Sequence, residues 1–303
     1  MSQIENLKIK LAQVGCPFLC EEPMSRHTSF RIGGPAEIFI SPTSEAQTAQ
    51  ALSLCREAAI SVYVMGNGSN LLVADEGLRG AVIAFSQPMG SITRNGNTLS
   101  AKSGVTLSQL CLFAQQQGLS GLEFAYGIPG SVGGAVYMNA GAYGGEMKDV
   151  VASVRVLDQS ERDDFLSIPA EQAGFVYRSS RFQKEGQIIC SADFLLHPDT
   201  PEAIDIRMKD IMARRVAKQP LQFPSAGSAF KRPLSGYASA LIEECGLKGF
   251  SIGGAQVSTK HAGFIINTGG ATCRDVLALL NAVKNEVCQR TGVLLEPEIK
   301  YLA

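Results

Sequence analysis

Tryptophan is absent from the 303 residues, histidine occurs three times, and none of the eight cysteines forms a C-x-x-C pair. With only His27, His197 and His261 to draw on, and the thiols scattered from Cys16 to Cys288, no zinc constellation can be drawn, and no metal site is expected. The cysteines read instead as small buried hydrophobes of a reducing compartment. Charge of one sign is missing too. Lys plus Arg is 27 against 28 acidic residues, a net charge of −1, which leaves no electrostatic footprint for nucleic acid or an anionic membrane. No apolar run approaches membrane-spanning length. The N-terminal stretch carries Glu5, Lys8 and Lys10 inside its apolar pattern, so it lacks the core of a signal peptide. A soluble, cytoplasmic protein is expected.

What is present is an ordinary globular composition, 45% hydrophobic and 18% charged, in a chain long enough for two or three domains. The densest signal is residues 127–145, G-I-P-G-S-V-G-G-A-V-Y-M-N-A-G-A-Y-G-G, with seven glycines. Without a Cβ the backbone can approach a flat or bulky ligand, and its N–H groups are then expected to be free for phosphate or a ring edge. A tightly packed turn is the plainer alternative. A second cluster, Gly66-Asn67-Gly68-Ser69-Asn70, lies between two apolar runs. Two such loops suggest one large ligand.

Ile4, Leu7, Leu11 and Val14 share a helix face. Residues 36–41 alternate as a strand, Ser44 and Gln47 match a capping box for a helix to about residue 58, and 61–65 is a short strand before the first glycine loop. That order resembles a nucleotide fold, but the loop lacks G-x-G-x-x-G spacing and no helix start follows, so a Rossmann reading is poor. Residues 81–85 read as a strand, and Asn95-Gly96 joins 91–94 to 98–102 as a hairpin. Thr106 and Gln109 form a second capping box, with Gly118 as the stop. Strands are expected at 150–157 and 187–196. A helix opens at Thr200-Pro201 and ends before Pro220, 221–233 is loop-like, 238–245 helical and 256–267 extended. Thr272 caps a last helix ending at Gly292, and 294–301 closes the chain as a strand. The division expected is 1–86, 87–199 and 200–303.

Six motifs in order carry a resemblance. His27-Thr28-Ser29-Phe30-Arg31-Ile32-Gly33-Gly34, Gly66-Asn67-Gly68-Ser69-Asn70-Leu71-Leu72-Val73 and Gly127-Ile128-Pro129-Gly130-Ser131-Val132-Gly133-Gly134-Ala135 look like the flavin-binding signatures of the UDP-N-acetylenolpyruvoylglucosamine reductase family. Tyr177-Arg178, Gly227-Ser228-Ala229-Phe230-Lys231 and Leu295-Glu296-Pro297-Glu298-Ile299 resemble its catalytic motifs. The short interval from Arg178 to His197 resembles the family's shorter, second type. The resemblance implies an α+β fold: a two-domain FAD-binding module of the vanillyl-alcohol-oxidase (PCMH) type, and a C-terminal α+β substrate-binding domain that closes over substrate. It further implies a monomeric enzyme of peptidoglycan precursor synthesis. NADPH would reduce a non-covalent FAD, and an enolpyruvyl ether would then become the lactyl ether of UDP-N-acetylmuramate. Gly66, Asn67, Gly68, Ser69, Asn70, Gly127, Pro129, Gly130, Ser131, Gly133 and Gly134 would hold the cofactor. Arg232 departs from the pattern, standing where the family usually has Asn.

The chemistry asks for a cation to stabilise developing enolate charge and for a proton donor. Arg178 offers a planar fork for a carboxylate, though a surface ion pair is the commoner fate of such an Arg. Ser228 could equally cap the next segment; the resemblance assigns it as the acid. Period two would put Glu296 and Glu298 on one strand face, and the family pattern singles out Glu298 to polarise the acceptor with Arg178. Tyr177, Lys218 and Lys231 are candidates for substrate contact, the lysines for the UDP phosphates, although helix C-termini also attract Lys. Tyr126 and Tyr143 are placed to stack on a ring, and His27 is read as structural. A flavin oxidase of the same superfamily and a non-catalytic flavin or nucleotide-sugar binder are the competing readings.

Overall fold

The computed structural model describes residues 2–85, 89–158, 164–234 and 236–303. Contacts divide the chain into two compact units: residues 1–19, 38–67 and 80–214 in the first, and 20–37, 68–79 and 215–303 in the second. The strands Phe18–Pro23, Pro35–Ile40 and Leu78–Ala84 carry the chain from one unit to the other. The first boundary of the three-part division, at residues 86 and 87, lies outside the described residues.

The first unit has two apolar clusters. One gathers the helices Gln3–Gln13 and Glu45–Glu57 through Leu7, Leu11, Ala51, Leu52 and Cys55, with Ile4 and Val14 packed at its edge. Ser44 accepts from Gln47 N–H as expected, but the box is not reciprocal: the Gln47 side chain turns to Thr43 and Gly15. The strands Val62–Met65 and Leu78–Ala84 pair in parallel, the latter opening earlier than its apolar run suggests. The other cluster lies about an antiparallel sheet ordered Phe165–Pro169, Val151–Leu157, Ile188–Leu195, Thr98–Lys102, Ile92–Asn95. Asn95 is the last residue of its strand and pairs with Thr98, so the turn is Gly96-Asn97, one residue later than expected, with Gly96 at φ +59°, a left-handed value that such a hairpin turn favours. The reciprocal capping box of Thr106 and Gln109 starts the helix Leu107–Gln116, whose Leu107, Leu110, Cys111 and Ala114 enter the cluster.

The helix Pro201–Lys218 contributes Ile204 and Met208 to that cluster and Arg207 to a buried carboxylate. Arg207 donates to Glu123 Oε1 at 2.7 and 3.0 Å, and the Ser120 hydroxyl and Gly121 N–H add bonds of 3.0 and 2.8 Å. Burial by itself raises the Glu123 pKa, but Arg207 and these donors outweigh it and hold the carboxyl below its ordinary value. Glu123→Gln is expected to cost about 1–3 kcal/mol at neutral pH, read from the urea midpoint. A lowered folded-state pKa gives stability that is complete above the unfolded value and lost as pH falls through the folded one. The gap between wild type and variant should therefore close on acidification. A gap that stays constant through the acid range would show that the charge of Glu123 does not stabilise the fold.

The second unit packs the helix Cys273–Thr291 on an antiparallel sheet ordered Ser225–Ser228, Phe264–Asn267, Ala255–Val257, Ser251–Ile252. The extended run expected at 256–267 is thus two strands and a turn, and Ser225–Ser228, expected as loop, is a strand with a register shift before Ser228. The helix has its Thr272 cap and stops at Gly292 with φ +72°. The last strand is confined to Lys300–Leu302 and runs parallel to Leu71–Val73. Glu296 and Glu298 therefore lie outside it, and period two does not govern them. Among the described residues no helix is long and apolar enough to cross a membrane.

Candidate active site

In the first unit, the loop 127–130 leads to Ser131, which caps the short helix Val132–Tyr137 inside the stretch read as a glycine-rich ligand loop. Segment 103–107 lies against it as an isolated bridge between Thr106 and Ser131. Leu107 N–H donates to Gly130 O at 3.0 Å, Val132 N–H to Val105 O at 2.8 Å, and Gly133 N–H to Ser103 O at 3.0 Å. The expectation of free donors is corrected at Val132 and Gly133, because amides buried this close to another segment must be paired. Glycine is needed here by close approach. A Cβ on Gly133 would sit 2.7 Å from Ser103 Cβ, and one on Gly66 only 2.1 Å from Ser131 Oγ.

Gly66 and Ser131 thus bring the start of the first glycine loop, Gly66-Asn67, against the second within this unit, whereas Gly68, Ser69 and Asn70 belong to the other unit. Asn67, Gly68 and Ser69 make the bend before Leu71–Val73, while Gly127 takes φ +81° ahead of exposed Pro129, and Gly134 N–H reaches Ser131 Oγ at 3.4 Å. Neither residues 66–70 nor 127–134 include an acidic side chain. A neutral donor set of amides and hydroxyls on a Cβ-poor backbone fits a diphosphate-linked flavin.

Tyr177 and Arg178 are the central pair of a tight turn: Val176 and Ser179 exchange backbone bonds of 3.0 and 3.1 Å. Arg178 takes φ +54°, a left-handed conformation that costs an L-residue about 1–2 kcal/mol and survives where the surroundings over-determine it. The surroundings do so. Asn139, fully buried and itself at φ +43°, donates to Val176 O at 3.1 Å and to Glu146 at 2.9 Å, and accepts from Lys148 N–H at 2.9 Å. Ser180 Oγ donates to Tyr137 O at 2.7 Å. The guanidinium of Arg178 donates to Gly141 O at 3.2 Å and lies 4.9 Å from the centre of the Tyr177 ring. Asn139 was not singled out from sequence. Its signal is an amide residue, tolerant of left-handed backbone, directly after a glycine-rich helix.

In the second unit, Ser228 is exposed at the end of its strand, and the segment after it runs beside the chain terminus. Glu298 N–H donates to Ala229 O at 2.9 Å, Phe230 bridges Pro297, and Lys231 N–H donates to Glu296 O at 2.8 Å. Ser228 and Glu298 are thereby placed on neighbouring segments although 70 residues separate them. Lys231 pairs through its side chain with exposed Glu296. Lys218 ends its helix exposed, as dipole considerations favour. Burial is the main cause that holds His261 below the ordinary histidine range, with Lys248 and Lys218 among the lesser contributors.

The motif 27–34 also belongs to this unit. Ser29 N–H donates to Gly68 O at 3.2 Å, Ser29 Oγ to Ser225 O at 2.7 Å, and His27 pairs with Glu22 at 2.9 Å. Arg232 lies 4.1 Å from the Tyr237 ring centre, and Arg214 4.7 Å from that of Tyr143. Burial pushes Cys16 up to about 11 and Cys55 and Cys190 up to about 12, so these thiols are not poised as nucleophiles. No group of three metal-ligating side chains occurs among the described residues.

Residues 36–162 match a family described as an FAD binding domain, and residues 219–302 one described as the C-terminal domain of UDP-N-acetylenolpyruvoylglucosamine reductase. The UDP-N-acetylenolpyruvoylglucosamine reductase of Clostridium botulinum strain Okra is 49% identical over 94% of this chain and 92% of its own length. That of Clostridioides difficile strain 630 is 47% identical over 93% and 92%. The crystal structure of the corresponding enzyme from Thermus caldophilus superposes with a TM-score of 0.82 at 34% identity, covering 95% of this chain and 99% of that one. A solvent-stable cholesterol oxidase, 12% identical with a TM-score of 0.50 over 61% of this chain and 38% of its own, is alike in fold alone.

Proposed function

This chain belongs to the UDP-N-acetylenolpyruvoylglucosamine reductase family, flavin-dependent oxidoreductases of peptidoglycan precursor synthesis, and from that premise we propose roles for its own residues. FAD, when bound, supplies the hydride that no side chain can transfer, and NADPH is the reductant that replenishes it. Residues 66–70 and 127–134 hold the cofactor without a covalent bond. Arg178 orients the enolpyruvyl carboxylate and stabilises the charge that develops on it as hydride reaches the terminal methylene. Glu298 helps to orient and polarise the same acceptor. Ser228 delivers the proton to the carbon bearing the carboxylate, which completes the lactyl ether. Tyr177 flanks Arg178 as a substrate contact, and Lys218 and Lys231 serve the UDP phosphates, Lys231 after release from Glu296. The enzyme is proposed to work as a monomer, and its free, largely buried thiols suit the cytoplasm.

The observation that carries this reading is the backbone bond from Glu298 N–H to Ala229 O at 2.9 Å, which sets a carboxylate-bearing segment beside the serine-bearing one. Anaerobic mixing tests it. The yellow protein should bleach with NADPH and recolour with the enolpyruvyl sugar nucleotide, and acid precipitation should release the flavin. Recolouring by oxygen but not by that substrate would indicate an oxidase. Failure to bleach would leave a binding protein.

A further inference from the structure

Glu298 is held by its main chain on both sides. Its N–H donates to Ala229 O at 2.9 Å, and its carbonyl receives the Asn70 side-chain amide at 3.2 Å. Asn70 makes a second contact through its own carbonyl, which accepts from Lys300 N–H at 2.9 Å where the parallel ladder of Leu71–Val73 and Lys300–Leu302 begins. Further along, Asp75 accepts from Cys273 N–H at 2.7 Å and Arg274 N–H at 3.1 Å at the start of the long helix. The segment carrying Asn70 is thus anchored independently of the asparagine side chain. Residues 294–299 lie outside the regular strands and are tied to residues 229–231 by the Phe230–Pro297 bridge and the Lys231 N–H bond to Glu296 O, while at Glu298 itself the N–H is met by Ala229 O and the carbonyl by the Asn70 side chain.

The geometry points to Asn70 as a positioning residue for Glu298: its side chain fixes the peptide from which the carboxylate projects, rather than serving only as a cofactor contact. This rests on the role proposed for Glu298. A side-chain amide is the right group for the task, since it can donate to a carbonyl without adding charge to a site that must handle a carboxylate substrate. The same contact ties the end of the first glycine loop to a group that acts on substrate.

The test uses the full-length holoenzyme with Asn70→Ala and Asn70→Asp. The aspartate keeps the shape and reverses the hydrogen-bond sense, and it carries the test if the alanine variant does not fold. Loss of one such bond is expected to slow flavin reoxidation by the enolpyruvyl substrate about 10- to 100-fold at saturation. Because Asn70 also belongs to the loop proposed to hold FAD, FAD affinity from apoprotein titration and the rate of reduction by NADPH are read in the same variants, and at saturating FAD the slowing of reoxidation should exceed any change in either by about tenfold or more. In a Glu298→Ala background the Asn70 substitutions should add almost nothing, because the group being positioned is gone. Equal slowing in that background, or a loss of FAD affinity that accounts for the slowing, would overturn the inference. If Glu298→Ala alone reacts at the wild-type rate, the fault lies with the proposed role of Glu298. If Glu298→Ala is slow and both Asn70 variants are normal, the positioning role alone fails.

Discussion

Ser228→Ala is expected to fold, bind FAD and accept electrons from NADPH at near wild-type rate, and then to stall with the enolpyruvyl substrate, losing about 10²- to 10⁴-fold in turnover. The serine side chain is exposed at the end of a strand held by its backbone pairing and by buried Ala226, so removing the hydroxyl disturbs no core packing. Hydride delivery leaves the carboxylate-bearing carbon electron-rich, and a positioned acid must quench it. Cysteine at this position should restore part of the rate, since a thiol is the stronger acid. In deuterated buffer the wild-type product should carry solvent deuterium at the lactyl methine. Wild-type rates of reoxidation and deuterium incorporation in the alanine variant would remove Ser228 from the proposed mechanism and leave it as a strand terminus.

Arg178→Ala is expected to slow the substrate half-reaction by about 10²- to 10³-fold, the usual consequence of removing one group aimed at developing charge. Its effect on NADPH oxidation should be small, because only the enolpyruvyl step builds charge on a carboxylate-conjugated acceptor. Arg178→Lys should recover little. A point charge cannot reproduce the planar fork, and the turn that aims the fork is held by the Asn139 and Ser180 side chains bonding backbone carbonyls, contacts that are indifferent to the side chain at 178. Stopped-flow traces in which both half-reactions slow equally would instead mean that Gly141 and the glycine stretch had shifted when the 3.2 Å bond from Arg178 was lost.

Much of the local structure was readable from the residues. The Thr106 and Thr272 caps and the helix stop at Gly292 stand where short-range rules put them, and the hairpin of Ile92–Asn95 and Thr98–Lys102 forms with its turn one residue later, at Gly96-Asn97. The strand Phe165–Pro169 and the helix Val132–Tyr137 were not legible. The first has little apolar alternation, and the second is built of residues with poor helix propensity and is kept by burial of Val132, Ala135 and Val136. Ser225–Ser228 looked like loop for a similar reason, being small and polar, and only its pairing with Phe264–Asn267 makes it a strand.

The sequence by itself determined the family, through six motifs in order, and the helices and turns whose signals act over three or four residues. Tertiary structure alone decided which distant segments share a unit. Residues 20–37 and 68–79 group with 215–303, and Leu71–Val73 pairs with Lys300–Leu302. It also decided which donors of the glycine stretch are taken by segment 103–107, that Lys231 meets Glu296, and that Asn139 and Asn70 hold the segments bearing Arg178 and Glu298. The physical reason is range. Capping and turn chemistry are satisfied within one helical turn of chain, whereas a buried carbonyl or amide takes whatever partner the packed fold brings to it, and no periodicity in the sequence records that choice.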